Sequence, residues 1–282
     1  MKNFFIVLFV LLVFAADSFA ATNVSYCQDI NSAGDYVLNA SLIGGPIVLS
    51  NITGQACIKI SVSDVVLDCD VYSLYEDGSN GTANYGIAVD GNANDALTNV
   101  TIENCTVSNY TTGLIALEGL NYSVITNNTL NTSASEGFYI FKINYVNFSN
   151  DKTYSIFDSA YDLQSSNNNI FDTEIMHDNS YGFRISSPSG SPTNNLFTNN
   201  NAYNNSLYGF YSTGGTLNNF TNNNASESQN GFWFTSSSTD NVLTNNLVYN
   251  NSAEGFLFNS LSSDNNLSNN TAYQNSEGFS YQ

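Results

Sequence analysis

The sequence predicts an all-β solenoid in which three short strands make up each coil and successive coils stack on one another. A Gly followed by an aromatic or aliphatic residue recurs about every 24 residues between positions 86 and 279. Between these points, short apolar or alternating segments are separated by Asn, Ser and Gly, and they lack a 3.6-residue period. These patterns are typical of strands joined by turns, and they predict about nine or ten coils.

The repeat has the following members: Gly86-Ile87, Gly113-Leu114, Gly137-Phe138, a degenerate unit at Ala160-Tyr161, Gly182-Phe183, Gly209-Phe210, Gly231-Phe232, Gly255-Phe256 and Gly278-Phe279. Stacked coils place equivalent residues roughly 4.8 Å apart. The Phe residues are therefore expected to form an aromatic ladder inside the solenoid. Asn127, Asn199, Asn222, Asn245 and Asn269 are expected to form an amide ladder at a bend. The Gly before each Phe is expected to have a positive φ.

Charge and composition exclude several classes of protein. The chain has 282 residues, with 24 acidic against 5 basic side chains and a net charge of -19. This balance argues against nucleic acid or an anionic membrane surface as a partner. Hydrophobic residues make up 42% of the chain, which is enough for a core and argues against disorder.

The N-terminus predicts export. Lys2 is followed by an apolar run from Phe4 to Ala16 and by small residues at Ser18 and Ala20. This is the pattern of a secretory signal peptide over residues 1–20, and the run is too short to span a bilayer as a helix. We therefore expect a secreted, cell-surface or periplasmic protein that is at most peripheral to a membrane or cell wall. Residues 21–85 are expected to form the opening coils, and residues 86–282 the regular repeats.

All four cysteines lie in the first half of the chain, at Cys27, Cys57, Cys69 and Cys105. In an exported protein they are expected to form two disulfides. Three pairings are possible, and we favour Cys27 with Cys57 and Cys69 with Cys105, because the second pair follows similar segments. Four buried thiols remain the alternative, whereas the spacing disfavours a zinc site.

The Asn-rich units resemble right-handed parallel β-helix repeats of the pectin-lyase-like fold, including NosD-type periplasmic proteins and secreted prokaryotic surface proteins. The segments Cys57-Ile58-Lys59-Ile60 and Val65-Val66-Leu67-Asp68-Cys69 also look like the opening coils of such proteins. The resemblance covers nearly all of residues 27–282 and implies a right-handed coil. It implies no single function, because the fold includes lyases, hydrolases, epimerases, adhesins and scaffolds.

The residue after each inward Phe is expected to point outward. The predicted outer stripe is Ala88, Ile115, Tyr139, Asp162, Arg184, Tyr211, Trp233, Leu257 and Ser280. Aromatic rings of this kind stack on sugars, and charged groups between them hold hydroxyls. Tyr139, Asp162, Arg184, Tyr211 and Trp233 are therefore predicted to bind a polysaccharide or glycan. A surface covered by a loop or a partner is the alternative interpretation.

A polysaccharide lyase or glycoside hydrolase of the same fold is the alternative function. The candidate catalytic residues are Asp162, His177, Asp178 and Arg184, which lie close in sequence on neighbouring coils. An enzyme should bring these four side chains together in one groove. A binding protein should instead show Tyr139, Tyr211 and Trp233 in one exposed row.

The sequence predicts no cofactor apart from the option of calcium. Asp240 and Asp264 occupy equivalent positions in adjacent coils, as do Glu254 and Glu277, and stacked carboxylates attract a hard cation. Solvated turns are the alternative explanation for these acids. Copper is disfavoured because soft ligands are scarce.

Two further features concern the surface and the last coil. Asn-x-Ser/Thr sequons such as Asn51, Asn80, Asn99 and Asn250 would carry sugars if the host glycosylates exported proteins. The chain stops at Gln282 part way through a coil, without a cap. We expect it to be a fragment of a longer surface protein, or to dock with another chain or with further coils.

Overall fold

The computed structural model describes residues 20–78, 84–92 and 94–282. The predicted signal peptide, apart from Ala20, lies outside the described residues, and so does the sequon at Asn80. The described residues form an all-β solenoid with three parallel sheets, as predicted. None of them belongs to a helix that could span a membrane.

Thirty-four strands follow one another along the described chain. The strands of the opening coils are β1 (Thr22–Val24), β2 (Gln28–Ile30), β3 (Gly34–Leu38), β4 (Leu42–Ile43), β5 (Ile47–Val48), β6 (Gln55–Ile60), β7 (Val65–Asp68) and β8 (Ser73–Tyr75). The middle strands are β9 (Tyr85–Asp90), β10 (Leu97–Thr98), β11 (Val100–Glu103), β12 (Thr106–Ser108), β13 (Gly113–Glu118), β14 (Leu120–Thr126), β15 (Thr129–Ser133), β16 (Glu136–Phe141), β17 (Asn144–Ser149), β18 (Lys152–Ile156), β19 (Ser159–Gln164), β20 (Ile170–Asp172), β21 (Ile175–His177) and β22 (Tyr181–Ser186). The last strands are β23 (Leu196–Thr198), β24 (Asn201–Tyr203), β25 (Tyr208–Thr213), β26 (Asn219–Thr221), β27 (Asn224–Ser226), β28 (Asn230–Thr235), β29 (Val242–Thr244), β30 (Leu247–Tyr249), β31 (Glu254–Phe258), β32 (Asn266–Ser268), β33 (Thr271–Tyr273) and β34 (Glu277–Tyr281).

From β3 onward each coil contributes one strand to each sheet, in the order sheet A, sheet C, sheet B, with β5 and β10 as additional short strands. Sheet A is β1-β3-β7-β11-β14-β17-β20-β23-β26-β29-β32 with β10 beside β14, and sheet C is β4-β8-β12-β15-β18-β21-β24-β27-β30-β33. Sheet B is β2-β6-β9-β13-β16-β19-β22-β25-β28-β31-β34, with the short antiparallel β5 beside β6. The ten strands of sheet C agree with the predicted nine or ten coils.

A left-handed residue followed by an inward polar residue builds the regular corners. At the corner between sheets A and C, Asn199 has φ 56° and Asn222 has φ 57°. The residues after them, Asn200 and Asn223, are each 1% exposed. Asn is one of the few residues that adopts this conformation readily, which explains the recurring Asn-Asn doublets.

The buried amide ladder therefore runs one residue later than predicted. Asn127, Asn199, Asn222, Asn245 and Asn269 are exposed left-handed residues, so their assignment to the internal ladder was wrong. Its steps are Asn128, Asp151, Glu174, Asn200, Asn223, Asn246 and Asn270. In each step a side-chain oxygen accepts from the backbone NH of the equivalent residue one coil earlier. Corner NH groups cannot join the strand ladders, so the side chains satisfy them instead.

The predicted aromatic ladder is confirmed. Phe138, Tyr161, Phe183, Phe210, Phe232, Phe256 and Phe279 stack in order, with ring centroids 4.4 to 5.4 Å apart. A second stack from sheet A, Phe148, Phe171, Phe197 and Phe220, meets the first edge to face, as at Phe138 and Phe148 with an interplanar angle of 86°. This geometry is favourable for aromatic rings and fills the core.

The glycines before the Phe residues are required by close packing. Gly137, Gly182, Gly209, Gly231 and Gly255 do not have positive φ, so that expectation was wrong. A Cβ on Gly182 would lie 2.4 Å from the carbonyl oxygen of Gly209 and 3.0 Å from the Cβ of Ala202. The strand therefore approaches the next coil too closely for any side chain at this point.

Two disulfides join the opening coils, and the favoured pairing is confirmed. Cys27 is bonded to Cys57, and Cys69 to Cys105. The bonded cysteines are 30 and 36 residues apart in the sequence. Such crosslinks restrict the unfolded chain where the coils are least regular.

Candidate functional site: the outer face of sheet B

The predicted stripe follows one register of sheet B. Tyr139, Asp162, Arg184, Tyr211 and Trp233 are consecutive partners on β16, β19, β22, β25 and β28. Four strand steps separate the first from the last, which is roughly 19 Å. The stripe is half-buried rather than fully exposed, and Asp162 is 0% exposed.

One member of the stripe was placed wrongly. Ile115 pairs with Phe138 and lies in the core, whereas Ala116 pairs with Tyr139 and takes the outward position. The reason is that Gly113 lies one residue too early to match Gly137. Leu114 occupies the place that glycine holds in most of the other coils.

An aromatic patch forms the second half of the face. Tyr208 contacts Tyr181, Tyr211 and Trp233 at centroid distances of 5.4, 5.3 and 4.7 Å. The indole NH of Trp233 donates to Asn259 Oδ1 at 3.1 Å, which fixes the ring orientation. The patch is a rigid, half-buried aromatic surface with hydroxyl groups at its edge.

Arg184 holds three carboxylates at the middle of the face. Its Nε and Nη2 donate to the two oxygens of Asp162 at 3.0 and 2.9 Å, a bidentate arrangement. Nη1 donates to Asp158, and Nη2 lies 3.4 Å from Glu136 Oε1. Burial alone would lower the pKa of Arg184, but the hydrogen bonds and charge of Asp162 outweigh it and raise that pKa.

A cavity of about 370 Å³ lies beside Tyr139 at the other end of the stripe. It is lined by Asn51, Ile52, Thr53, Tyr85, Thr112, Glu118, Ser135, Glu136, Tyr139 and Phe141. Burial raises the pKa of Glu118 and that of Glu136, against the opposing effects of Lys142 and Ser135. The cavity thus combines carboxyl groups and aromatic rings next to the Arg184 cluster.

A loop from the opening coils forms one wall of this cavity. The carboxylate of Asp90 accepts the backbone NH groups of Ser50, Asn51 and Ile52 at 2.6, 2.8 and 3.1 Å. Leu49 and Ile52 of the loop pack with Ala56, Tyr85, Ala88 and Ala116, which covers the first coils of the face. The open part of the face therefore begins at Tyr139.

The four candidate catalytic residues do not meet in one groove. Asp162 and Arg184 pair on sheet B, whereas His177 is on β21 of sheet C. The ring of His177 stacks between Tyr154 and Tyr203 at 5.1 and 4.9 Å, and its Nδ1 lies 2.7 Å from Asp178. These candidate residues are close in sequence but lie on two different sheets.

The calcium candidates occupy equivalent positions, as predicted. Asp240 and Asp264 are exposed left-handed corner residues, and Glu254 pairs with Glu277 on sheet B. Across residues 20–78, 84–92 and 94–282, no group of three or more His, Cys, Asp and Glu side chains is arranged to hold a metal ion. The carboxylates that do converge, Glu136, Asp158 and Asp162, converge on Arg184.

Sequence reasoning missed half of this face. Glu136, Tyr181 and Tyr208 stand immediately before the repeat glycines, and each faces outward into the site. Gly and Phe together occupy the inward stretch, so the residues on both sides of the pair point outward. In the pattern X-Gly-Phe-X the first residue faces outward as well as the last, whereas the predicted stripe contained only the last.

Comparison with protein families agrees with this architecture. The model described as "Right handed beta helix region" matches residues 56–225 and 158–282, which together exceed half of the chain. The chain belongs to this right-handed β-helix family. The predicted resemblance to the pectin-lyase-like fold is thereby confirmed. This β-helix protein matches no curated protein sequence.

Solved structures similar to this β-helix protein include enzymes and binding proteins. The A-module of a mannuronan C-5 epimerase of Azotobacter vinelandii has a TM-score of 0.66 at 10% identity, covering 88% of this chain and 89% of that one. A surface adhesin of Streptococcus pneumoniae has a TM-score of 0.55 at 12% identity, covering 87% and 84%. The Dettilon tailspike protein has a TM-score of 0.51 at 10% identity, covering 88% and 60%. At these identities the likeness extends to the fold alone.

Proposed function

We propose that the protein is an exported or cell-surface β-helix scaffold that binds a polysaccharide or glycan along the outer face of sheet B. The proposal rests on the row Tyr139, Asp162, Arg184, Tyr211 and Trp233, in which a charged pair lies between aromatic rings over roughly 19 Å. A face of this length suits a chain of sugar units better than a single small molecule.

The chemistry of the face supports a carbohydrate ligand. Tyr181, Tyr208, Tyr211 and Trp233 form one rigid patch whose rings can stack on the apolar faces of sugars. The residual donors and acceptors around Arg184 can bind sugar hydroxyls. Sheet C also has stacked rings, but Tyr249 and Tyr273 stack face to face at 5.1 Å, so each covers a face of the other.

The structural neighbours and the disulfides support a protein that binds glycans outside the cytosol. The structural neighbours include a mannuronan epimerase, a surface adhesin and a tailspike. The two disulfides are typical of proteins that fold outside the reducing cytosol.

A glycan array probed with the secreted protein tests the proposal, with Trp233→Ala and Tyr249→Ala as matched variants. We expect the wild type and Tyr249→Ala to retain the same glycans, and Trp233→Ala to lose about tenfold or more in affinity. Equal retention by Trp233→Ala and the wild type would contradict the proposed surface.

A further inference from the structure

The cavity beside Tyr139 has an excess of negative charge. Two carboxyl groups, Glu118 and Glu136, line it, and no cation is among the described residues that do so. Lys142 interacts with Glu118, and Arg184 with Glu136 and with two further carboxylates, Asp158 and Asp162. The buried Asp90 nearby is already matched by Lys59, at 3.4 Å, and by three backbone NH groups. These four carboxyl groups thus share two cations among the residues that the structure describes, so acidic groups are in excess by two at this end of the face.

Arg184 cannot balance Glu136 by itself. Asp162 takes two of its donors in a bidentate pair and Asp158 takes a third. Glu136 receives only the longer contact of 3.4 Å. One guanidinium thus contacts three carboxylates, and its contact with Glu136 is the longest.

Aromatic rings complete the lining of the cavity. Tyr85, Tyr139 and Phe141 all face the cavity, and the rings of Tyr139 and Phe141 lie 6.4 Å apart. The Nζ of Lys142 lies 4.5 Å from the centroid of Phe141, so this ring already contacts one cation. Ring faces attract cations, and a carboxylate beside them adds a charged hydrogen bond.

We infer that this cavity binds the ammonium group of an amino sugar within a glycan, with Glu118 and Glu136 as its carboxylate partners. The inference rests on the proposed function and narrows its ligand to glycans that carry free amines. A chain of uronic acids would meet the same excess of carboxylates and be repelled. The charge of the ligand, rather than the length of the sugar chain, is therefore what this cavity selects.

Titration calorimetry with three oligosaccharide sets tests the inference. The sets are β-1,4-linked glucosamine oligomers, their N-acetylated counterparts and mannuronate oligomers, each at low and high salt. We expect the glucosamine oligomers to bind at least tenfold more tightly than the other two, and this preference to shrink in high salt because ions screen the contact.

Two variants locate the contact and one serves as a control. Glu136→Gln and Glu118→Gln should each weaken glucosamine binding on the order of tenfold, since each removes one charged hydrogen bond. Glu254→Gln removes a charge from the same face, about five strands away, and keeps an oxygen for Asn230, so it should bind like the wild type. Thermal unfolding confirms that each variant is folded.

The outcomes distinguish amino-sugar recognition from glycan binding in general. N-acetylated or mannuronate oligomers that bind as tightly as glucosamine oligomers would overturn the inference and leave the proposed glycan binding intact. Unchanged glucosamine affinity in both glutamate variants would also overturn it. Failure to bind any glycan would overturn both.

Discussion

The carboxyl group of Asp151 occupies the place of an asparagine amide beside Asn128. Its Oδ1 accepts the backbone NH and the side-chain amide of Asn128 at 2.7 and 2.9 Å. Asn246 accepts the same two groups from Asn223 at 2.9 and 3.1 Å. Asp151 Oδ2 thus stands where other steps of the ladder carry an NH₂ group, and it has no hydrogen-bond partner among the described residues. A protonated carboxyl would restore the missing donor.

The two ladder carboxyls favour their protonated forms. Burial raises the pKa of Asp151, and burial together with the charge of Asp151 raises the pKa of Glu174. Tyr161 donates its hydroxyl to Glu174 Oε2 in the same buried group. The folded chain therefore holds protons that the unfolded chain releases above its ordinary carboxyl pKa. The stability that these bound protons contribute is fully present below the ordinary carboxyl pKa. It is lost as the pH rises through the raised pKa values of the folded chain.

Asp151→Asn is expected to stabilise the protein at alkaline pH. The amide supplies the donor without a proton that titrates, and the equivalent Asn residues prove that the shape fits. We expect a gain of about 1 to 3 kcal/mol in the free energy of unfolding at pH 8, and a smaller gain at pH 5. Urea unfolding at the two pH values measures it.

Asp240→Asn is the matched control for that experiment. Asp240 is an exposed corner residue in the left-handed conformation, which Asn also adopts. It should change the free energy of unfolding by less than about 0.5 kcal/mol. A variant Asp151→Asn that is less stable than the wild type at pH 8 would show that the ladder does not use a protonated carboxyl.

Gly182→Ala is expected to destabilise the solenoid. Its Cβ would lie 2.4 Å from the carbonyl oxygen of Gly209 and 3.0 Å from the Cβ of Ala202, both on the next coil. The coils would have to separate locally, at a cost of about 1 to 3 kcal/mol. Gly278→Ala, whose nearest neighbour would be the Cβ of Ala272 at 3.7 Å, should be tolerated. Equal melting temperatures for the two variants would refute the steric explanation.

Arg184→Gln is expected to destabilise the protein more at pH 8 than at pH 5. The substitution leaves Asp162, which is 0% exposed, without its bidentate partner, and costs about 2 to 4 kcal/mol. It also removes a charge that lowers the pKa of Glu136, so acid should partly relieve the loss. Thermal melts at both pH values test this, with the exposed cation in Lys152→Gln as control. A deficit independent of pH would argue against charge as the cause.

The sequence was sufficient for the fold and for the central row of the site. The spacing of Gly-Phe pairs located Phe138 and Phe183 in one core stack, and alternation then placed Tyr139 and Arg184 on the outer face. Even the degenerate unit at Ala160-Tyr161 was placed correctly, because Tyr161 replaces Phe in the stack. Equivalent residues of stacked repeats are neighbours in space, so the period of the repeat alone predicts which residues stack on one another.

The backbone conformation at the corners and the remaining residues of the candidate site could not be predicted from the period of the repeat. In an Asn-Asn doublet, composition does not say which Asn is left-handed and which is buried; that depends on the backbone at the corner. Similarly, the cavity wall at Asn51 to Thr53 depends on the hydrogen bonds of Ser50, Asn51 and Ile52 to Asp90, 38 to 40 residues later in the chain. The period of a repeat does not predict contacts that residues outside the repeat make.

Fluorescence of Trp233 during titration with a bound oligosaccharide tests the proposed surface most directly, because it is the only tryptophan in the chain and lies in that surface. We expect a saturable change in its emission, together with protection from acrylamide quenching, at the affinity that calorimetry gives for the same ligand. Calorimetric binding that leaves both the emission and the quenching of Trp233 unchanged would contradict glycan recognition on the outer face of sheet B.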